Sequence, residues 1–185
     1  MRFGFLLICS FWTMLLFSCK EVSYPKPQPA GIANLKQLPE SICGEYLIRD
    51  KATGEIGDTI IIESWGYRTK DASGKDWLGV GRISDTLVVK QYQGYYFINF
   101  KEGDQWILRL LKVKNPNRLE LLSINLENDV EQEAVLQKLG NKFKVKTSKE
   151  NDYVFYQINP TPAQLMSLVN ENYFTGVELI RKRSN

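Results

Sequence analysis

Between Ser41 and Leu126 the chain alternates short apolar runs with connections mostly too brief to hold a helix. The runs are SICGEYLIR, DTIIIESW, DTLVVKQY, YYFINF, QWILRLLKV and RLELLSINL. β-Branched and aromatic residues dominate them, and Gly, Asn, Asp and Pro fill the gaps, as in strands joined by tight turns. A parallel pair of strands needs a crossover of a dozen or more residues, usually a helix. All but one of these connections, the 19 residues between DTIIIESW and DTLVVKQY, are shorter, so the strands they join pair antiparallel. The expected fold is mainly β, an antiparallel meander. In the first run, alternation puts Ile42, Gly44, Tyr46 and Ile48 on one face.

Beyond Leu126 the pattern changes. Val130, Ala134, Val135 and Leu139 have helical spacing, and Gly140 is placed to end a helix over 129–139. KFKVKT and DYVFYQI then read as strands. In TPAQLMSLV, Thr161 is a good N-cap, Pro162 suits the first helical position and Gln164 completes a capping box, which predicts a helix over about 162–171. Leu165, Leu168 and Val169 form its buried face. YFTGVELIRKR offers a final strand. With WLGVGRIS and DTLVVKQY taken as one long kinked strand, the count is about eight strands in meander order, a helix and one more strand. That order resembles the lipocalin and calycin barrels. Gly44-Glu45-Tyr46 lies where those families place Gly-x-Trp, with Tyr in place of Trp. The resemblance implies a lipocalin-like barrel. A strongly curved open sheet or a sandwich with a packed helix fits the same pattern of strands.

The N-terminus carries a different signal. After Arg2, Phe3 to Cys19 is free of charge, the form of a secretory signal peptide. An uncleaved anchor is the competing reading, because the run is near the lower limit for spanning a bilayer. The run ends in Leu16-Phe17-Ser18-Cys19, which resembles a bacterial lipobox. That resemblance implies cleavage before Cys19, which becomes the new N-terminus and is acylated, so that palmitate labelling depends on Cys19. Lys20, where an Asp would signal inner-membrane retention, resembles sorting to the outer membrane of a Gram-negative bacterium. Whether the domain faces the periplasm or the surface is left open. Prolines at 25, 27, 29 and 39 make 19–40 read as an extended, semi-rigid tether. The expected organisation is a signal peptide over 1–18, a tether over 19–40 and one β-rich domain over 41–185, large enough for a proper core.

Composition narrows the chemistry. The chain has no histidine, so Ser-His-Asp and Cys-His catalysis are absent, as are the usual zinc sites. No cofactor or metal is expected. Of the three cysteines, Cys9 leaves with the signal and Cys19 is acylated. Cys43 is left as a small buried hydrophobe. The net charge of +3 is too small for a nucleic-acid partner. The glycines of GVGRIS, residues 79–84, read as a bend in a strand and not as a dinucleotide loop. DASGKD, residues 71–76, reads as a solvated turn and not as a calcium loop. Lys142, Lys144 and Lys146 share one face of the KFKVKT strand, either to grip anionic headgroups or polysaccharide or to block edge aggregation. Arg181-Lys182-Arg183 reads as a solvated end.

The aromatic residues are the candidate ligand-binding set: Tyr46, Trp65, Tyr67, Trp77 and Tyr96. Such residues near loops can line an apolar site or stack on sugars, and they can equally be cross-strand packing pairs. The first expectation is therefore a non-enzymatic, lipid-anchored envelope domain that binds a small apolar or amphipathic ligand. The alternative is an envelope scaffold with a filled core that contacts another envelope protein through its outer face. A carboxylate-based hydrolase comes third and needs a facing pair of acids.

Overall fold

The computed structural model describes residues 19–51, 53–71, 77–126, 129–150 and 153–182. Its elements in chain order are β1 (Cys19–Tyr24), a 3-10 turn (Glu40–Ile42), β2 (Gly44–Arg49), β3 (Ile56–Glu63), β4 (Gly66–Lys70), β5 (Trp77–Arg82), β6 (Leu87–Tyr92), β7 (Tyr95–Glu102), β8 (Gln105–Asn115), β9 (Arg118–Ser123), α1 (Asp129–Lys142), β10 (Lys146–Glu150), β11 (Tyr153–Gln157), α2 (Pro162–Asn170) and β12 (Thr175–Arg181). The mainly β fold, the C-terminal helix and the final strand all form as expected. The signal segment 1–18 and positions 72–76 of the DASGKD stretch lie outside the described residues.

The short connections do what their length requires. β2–β3–β4–β5 and β6–β7–β8–β9 are two series of sequential antiparallel pairs. The β6–β7 turn has only two residues, Gln93 at φ 47° and Gly94 at φ 82°. Left-handed backbone at both positions matches the twist of the flanking strands. The joint between the two series is non-local. β12 lies between β9 and β2, antiparallel to both. β5 and β6 do not pair, so the sheet curves without closing. The strongly curved sheet is the form adopted, and the closed barrel is not.

Two strand assignments change. WLGVGRIS and DTLVVKQY do not form one strand: residues 83–86 separate β5 from β6, which pair with different neighbours. The glycines are structural, as expected. A Cβ on Gly81 would run into the Tyr67 ring and Leu87, and one on Gly66 would strike the Gly81 backbone. GYRTK, which looks like loop, is β4, because β3 and β5 satisfy both its edges.

β8 is the branch point. β7 runs along one of its edges, while β9 and β1 share the other. From β1 the sheet continues to β11 and then β10. β1 and β11 are parallel, with most of the chain as their connection. Alternation along β8 then feeds two cores. Leu110 and Leu111 are both buried and belong to separate apolar clusters. Leu110, Leu108, Phe97 and Leu122 meet Leu139 of α1 and Leu165, Leu168 and Val169 of α2. Leu111, Leu119, Leu179, Ile60, Ile62 and Val89 fill the inside of the curve.

α2 begins with the expected capping box: Gln164 N donates to Thr161 Oγ1, and Thr161 N donates to Gln164 Oε1. α1 runs through Gly140 to Lys142. Its buried stripe is Gln132, Val135, Leu136, Leu139 and Phe143, while Ala134 is exposed. Val135 and Leu139 lie in it as expected, the Val130 side chain lies outside the described residues, and a polar residue, Gln132, joins the stripe. Gln132 accepts from Lys20 Nζ at 2.7 Å and donates to the Tyr156 hydroxyl at 3.3 Å. The helix also takes Lys142 out of the KFKVKT strand. Lys142, Lys144 and Lys146 therefore do not share a strand face; β10 starts at Lys146.

The proline-rich segment 19–40 packs into the domain and is not a tether. Val22, Ser23 and Tyr24 are buried between β8 and β11. After a cis Gln28–Pro29 bond, the chain crosses the open seam between β6 and the β3–β4 turn. Leu35 N donates to Val89 O at 2.7 Å, and Leu38 N donates to Ser64 O at 2.8 Å. Two buried polar side chains hold this strap. Asn99 Oδ1 accepts from Gln28 N at 2.7 Å, and its Nδ2 donates to Gln28 O at 2.8 Å. Lys90 Nζ donates to Pro27 O at 3.0 Å and Pro29 O at 2.9 Å. Proline removes donors from the segment, but its carbonyls remain as acceptors, and Lys90 uses them.

Candidate functional site

Three of the five aromatic candidates converge inside the curved sheet. Tyr46 is fully buried. Its hydroxyl donates to Ile42 O at 2.9 Å and accepts from Arg181 Nη2 at 2.5 Å. Arg181 also donates to Cys43 O, Ser41 O and Pro116 O, and its guanidinium lies 4.8 Å from the Tyr46 ring centroid. Arg181 is therefore a clamp and not part of a solvated end. Lys182 pairs with Glu45, and Arg183 lies outside the described residues. Tyr96 is buried, and Tyr67 packs edge-on to Phe100 at 6.2 Å. Burial pushes the Tyr46, Tyr67 and Tyr96 hydroxyls above the usual tyrosine range. Trp65 sits apart in the β3–β4 turn, under Arg82 at 4.2 Å and donating to Glu63 at 2.8 Å. Trp77 opens β5; its side chain lies outside the described residues.

The space inside the curve, which Tyr67 alone of the three borders, is small. Leu38, Ile60, Ile62, Tyr67, Leu87 and Val89 help line a wholly apolar cavity of about 30 Å³. A single water needs about 10–15 Å³ of such space. Sites for ligands of drug size run to about 300–1,000 Å³. In this structure the tyrosines are packing residues around a filled interior.

The outer face carries the charged chemistry. In the antiparallel register, Arg49 of β2 is opposite Glu178 of β12, Glu178 is opposite Glu120 of β9, and Glu120 is opposite Lys112 of β8. Two like charges directly opposite each other repel, and cations offset this. Glu178 meets Arg49 at 2.7 Å and Arg118 at 3.3 Å. Glu120 meets Lys51 at 2.6 Å and Lys114 at 3.9 Å. Burial pushes the Glu120 carboxyl up, but Lys51, Lys114 and Lys112 outweigh it and hold it below the usual glutamate value. A general acid needs a raised value, and Glu120 has a lowered one. The carboxylates are largely covered, while the four paired cations are 37% to 51% exposed. The row presents cations outward. The alternating charges of Arg118-Leu119-Glu120 and Lys112-Val113-Lys114 mark an outer face in the sequence. Only the insertion of β12 brings Glu178 to Glu120.

The cysteines separate as well. Cys19 is exposed. Cys43 is half-buried, and its Sγ lies 3.4 Å from Pro39 O as a weak donor. Burial and the nearby Glu40 raise its thiol above the ordinary value, so it stays protonated at neutral pH. Among the described residues, no group of three or more His, Cys, Asp or Glu is placed to hold a metal ion. No described helix is long and apolar enough to cross a membrane. Neither a protein-family model, a curated protein nor a solved structure matches the chain.

Proposed function

We propose that this protein is a lipid-anchored domain of the bacterial cell envelope that binds another envelope protein through the outer face of its sheet. The observation that carries the binding part is the filled interior, whose cavity of about 30 Å³ leaves no room for a ligand of a few hundred daltons. The row of Arg49, Lys51, Lys112, Lys114 and Arg118 around two largely covered carboxylates favours a partner with an acidic face. The anchor rests on the sequence: an apolar run ending in LFSC, with Lys20 after the cysteine. The exposure of Cys19 suits an acylated residue. The outer membrane of a Gram-negative bacterium is the proposed site.

A small apolar ligand is the second reading, and the cavity beside Tyr67 is the observation that favours it. It requires Leu38 and the strap to move outward. Native mass spectrometry of Lys20–Asn185 separates the two. A bare mass is expected; a reproducible adduct of a few hundred daltons, lost on denaturation, would restore the ligand reading. Crosslinking in intact membranes tests the partner. Lys114→Glu with Arg118→Glu should abolish a specific crosslink, and a crosslink indifferent to both would discard the outer face. Palmitate labelling should vanish in Cys19→Ala, and persistent labelling would remove the anchor.

A further inference from the structure

We propose that the β1–β11–β10 side of the domain lies directly on anionic lipid headgroups, in the leaflet that holds the Cys19 acyl chains. This rests on the acylation proposed above and adds to it a fixed orientation. A flexible tether would let the domain roam tens of ångströms from the bilayer. No such slack follows Cys19. Lys20 bonds Gln132 at 2.7 Å, Glu21 takes both Arg109 nitrogens at 2.5 and 3.1 Å, and Val22, Ser23 and Tyr24 are buried. Cys19 itself pairs in register with Tyr153. The lipid is thus attached to the sheet at its first residue.

Register then shows what lies beside the lipid. Adjacent strands are about 4.8 Å apart. Tyr153 is one strand from Cys19, and Glu150, paired with Tyr153, is two strands away. Lys149 stands in the same relation to Lys20 through Val154. β10 is an outer edge of the sheet, and every residue in it is exposed. Lys146 and Lys149 belong to it, and exposed Lys144 precedes it. Among the described residues, none of these three lysines has an ion-pair partner, in contrast to Lys142, which pairs with Glu171. Lys149 is held about two strand widths from Lys20, Lys146 (opposite Gln157) and Lys144 lie further along the edge, and together these exposed cations outnumber Glu150 and complement an anionic bilayer surface.

The test uses the mature acylated protein in nanodiscs of phosphatidylethanolamine with phosphatidylglycerol, and in phosphatidylcholine discs. Single spin labels replace Thr147 on β10 and Val80 on β5, in a Cys43→Ala background. Val80 is exposed on the strand at the other end of the sheet order. A lipid-soluble relaxation agent should reach the label at 147 several-fold more effectively than the label at 80. Lys144→Glu, Lys146→Glu and Lys149→Glu together should remove that difference in phosphatidylglycerol discs without altering the mass added by acylation. Phosphatidylcholine discs should show a weaker difference. Equal, low accessibility at both labels on acylated protein overturns the orientation and leaves the anchor standing. A Cys19 without acyl mass overturns both.

Discussion

The two apolar cores share one sheet but are closed by different means. The helix-side core is covered by α1, α2 and β1, elements with their own hydrogen-bonded backbone. The inner core is closed along its open seam by residues 31–38, which have no regular structure beyond a bridge at Asn34. Leu35 and Leu38 bridge β6 and the β3–β4 turn where β5 and β6 do not pair. The residual cavity lies in this second core, against Leu38. The difference teaches that a curved sheet can leave one seam unbonded when a strap supplies both the side chains and the missing main-chain partners.

The most severe way to break the comparison is to remove what both cores share. A chain beginning at Ser41 loses Val22 and Tyr24 from one core and Leu38 from the other. It also strips Asn99 of its Gln28 partners and Lys90 Nζ of Pro27 O and Pro29 O. We expect it to be insoluble or to lack a cooperative melt, and a sharp thermal transition would show that the N-terminal segment is dispensable. Next in size are Leu110→Ala and Leu111→Ala, adjacent residues that serve different cores. Each should cost about 2–5 kcal/mol in denaturant unfolding. Leu110→Ala should cost more, because helices packed on a sheet collapse less readily than a strap. Equal losses would erase the distinction. Asn99→Ala should cost about 1–3 kcal/mol by leaving the Gln28 main chain unpaired. Hydrogen exchange should rise at Gln28 while the helices stay protected; uniform exchange would mean that the strap is not a separate unit.

Titration gives the mildest probe. Burial raises Tyr24 in the helix-side core, and Tyr46, Tyr67 and Tyr96 in the inner one, above their unfolded value of 10.0. Above that pH the folded state holds protons that the unfolded state sheds, so stability is intact below pH 10 and falls as pH rises further. Tyr24→Phe should flatten this fall. Lys90 has the opposite sign. Burial lowers its value from 10.5, with Lys26 adding to the effect, so the unfolded state binds more protons as pH approaches 10.5. Stability gains from that rise, and Lys90→Met should remove the gain. Unchanged pH slopes in thermal melts of both variants would refute the assignment.

Local rules made much of this fold legible. Two-residue periodicity predicts the β2, β3 and β6–β9 strands, Thr161-Pro162-Ala163-Gln164 predicts the start of α2, and short connections predict the antiparallel order, because each signal acts over a few neighbouring residues. The candidate outer face was only half legible. Alternation marks Lys112, Lys114, Arg118 and Glu120 as one side of two strands, but does not reveal Glu178 as the neighbour of Glu120. In α1, periodicity places Val135 and Leu139 on the buried face but does not reveal Gln132, which is buried by partners on β1 and β11 that are distant in sequence. The amino-acid sequence by itself determined the strands, their turns and the α2 cap. Tertiary structure alone decided that β12 enters between β9 and β2, that the sheet stops short of closing, and that 19–40 is core. Those outcomes depend on which distant surfaces are left to bury, and proline composition or hydrophobic period carries no record of that.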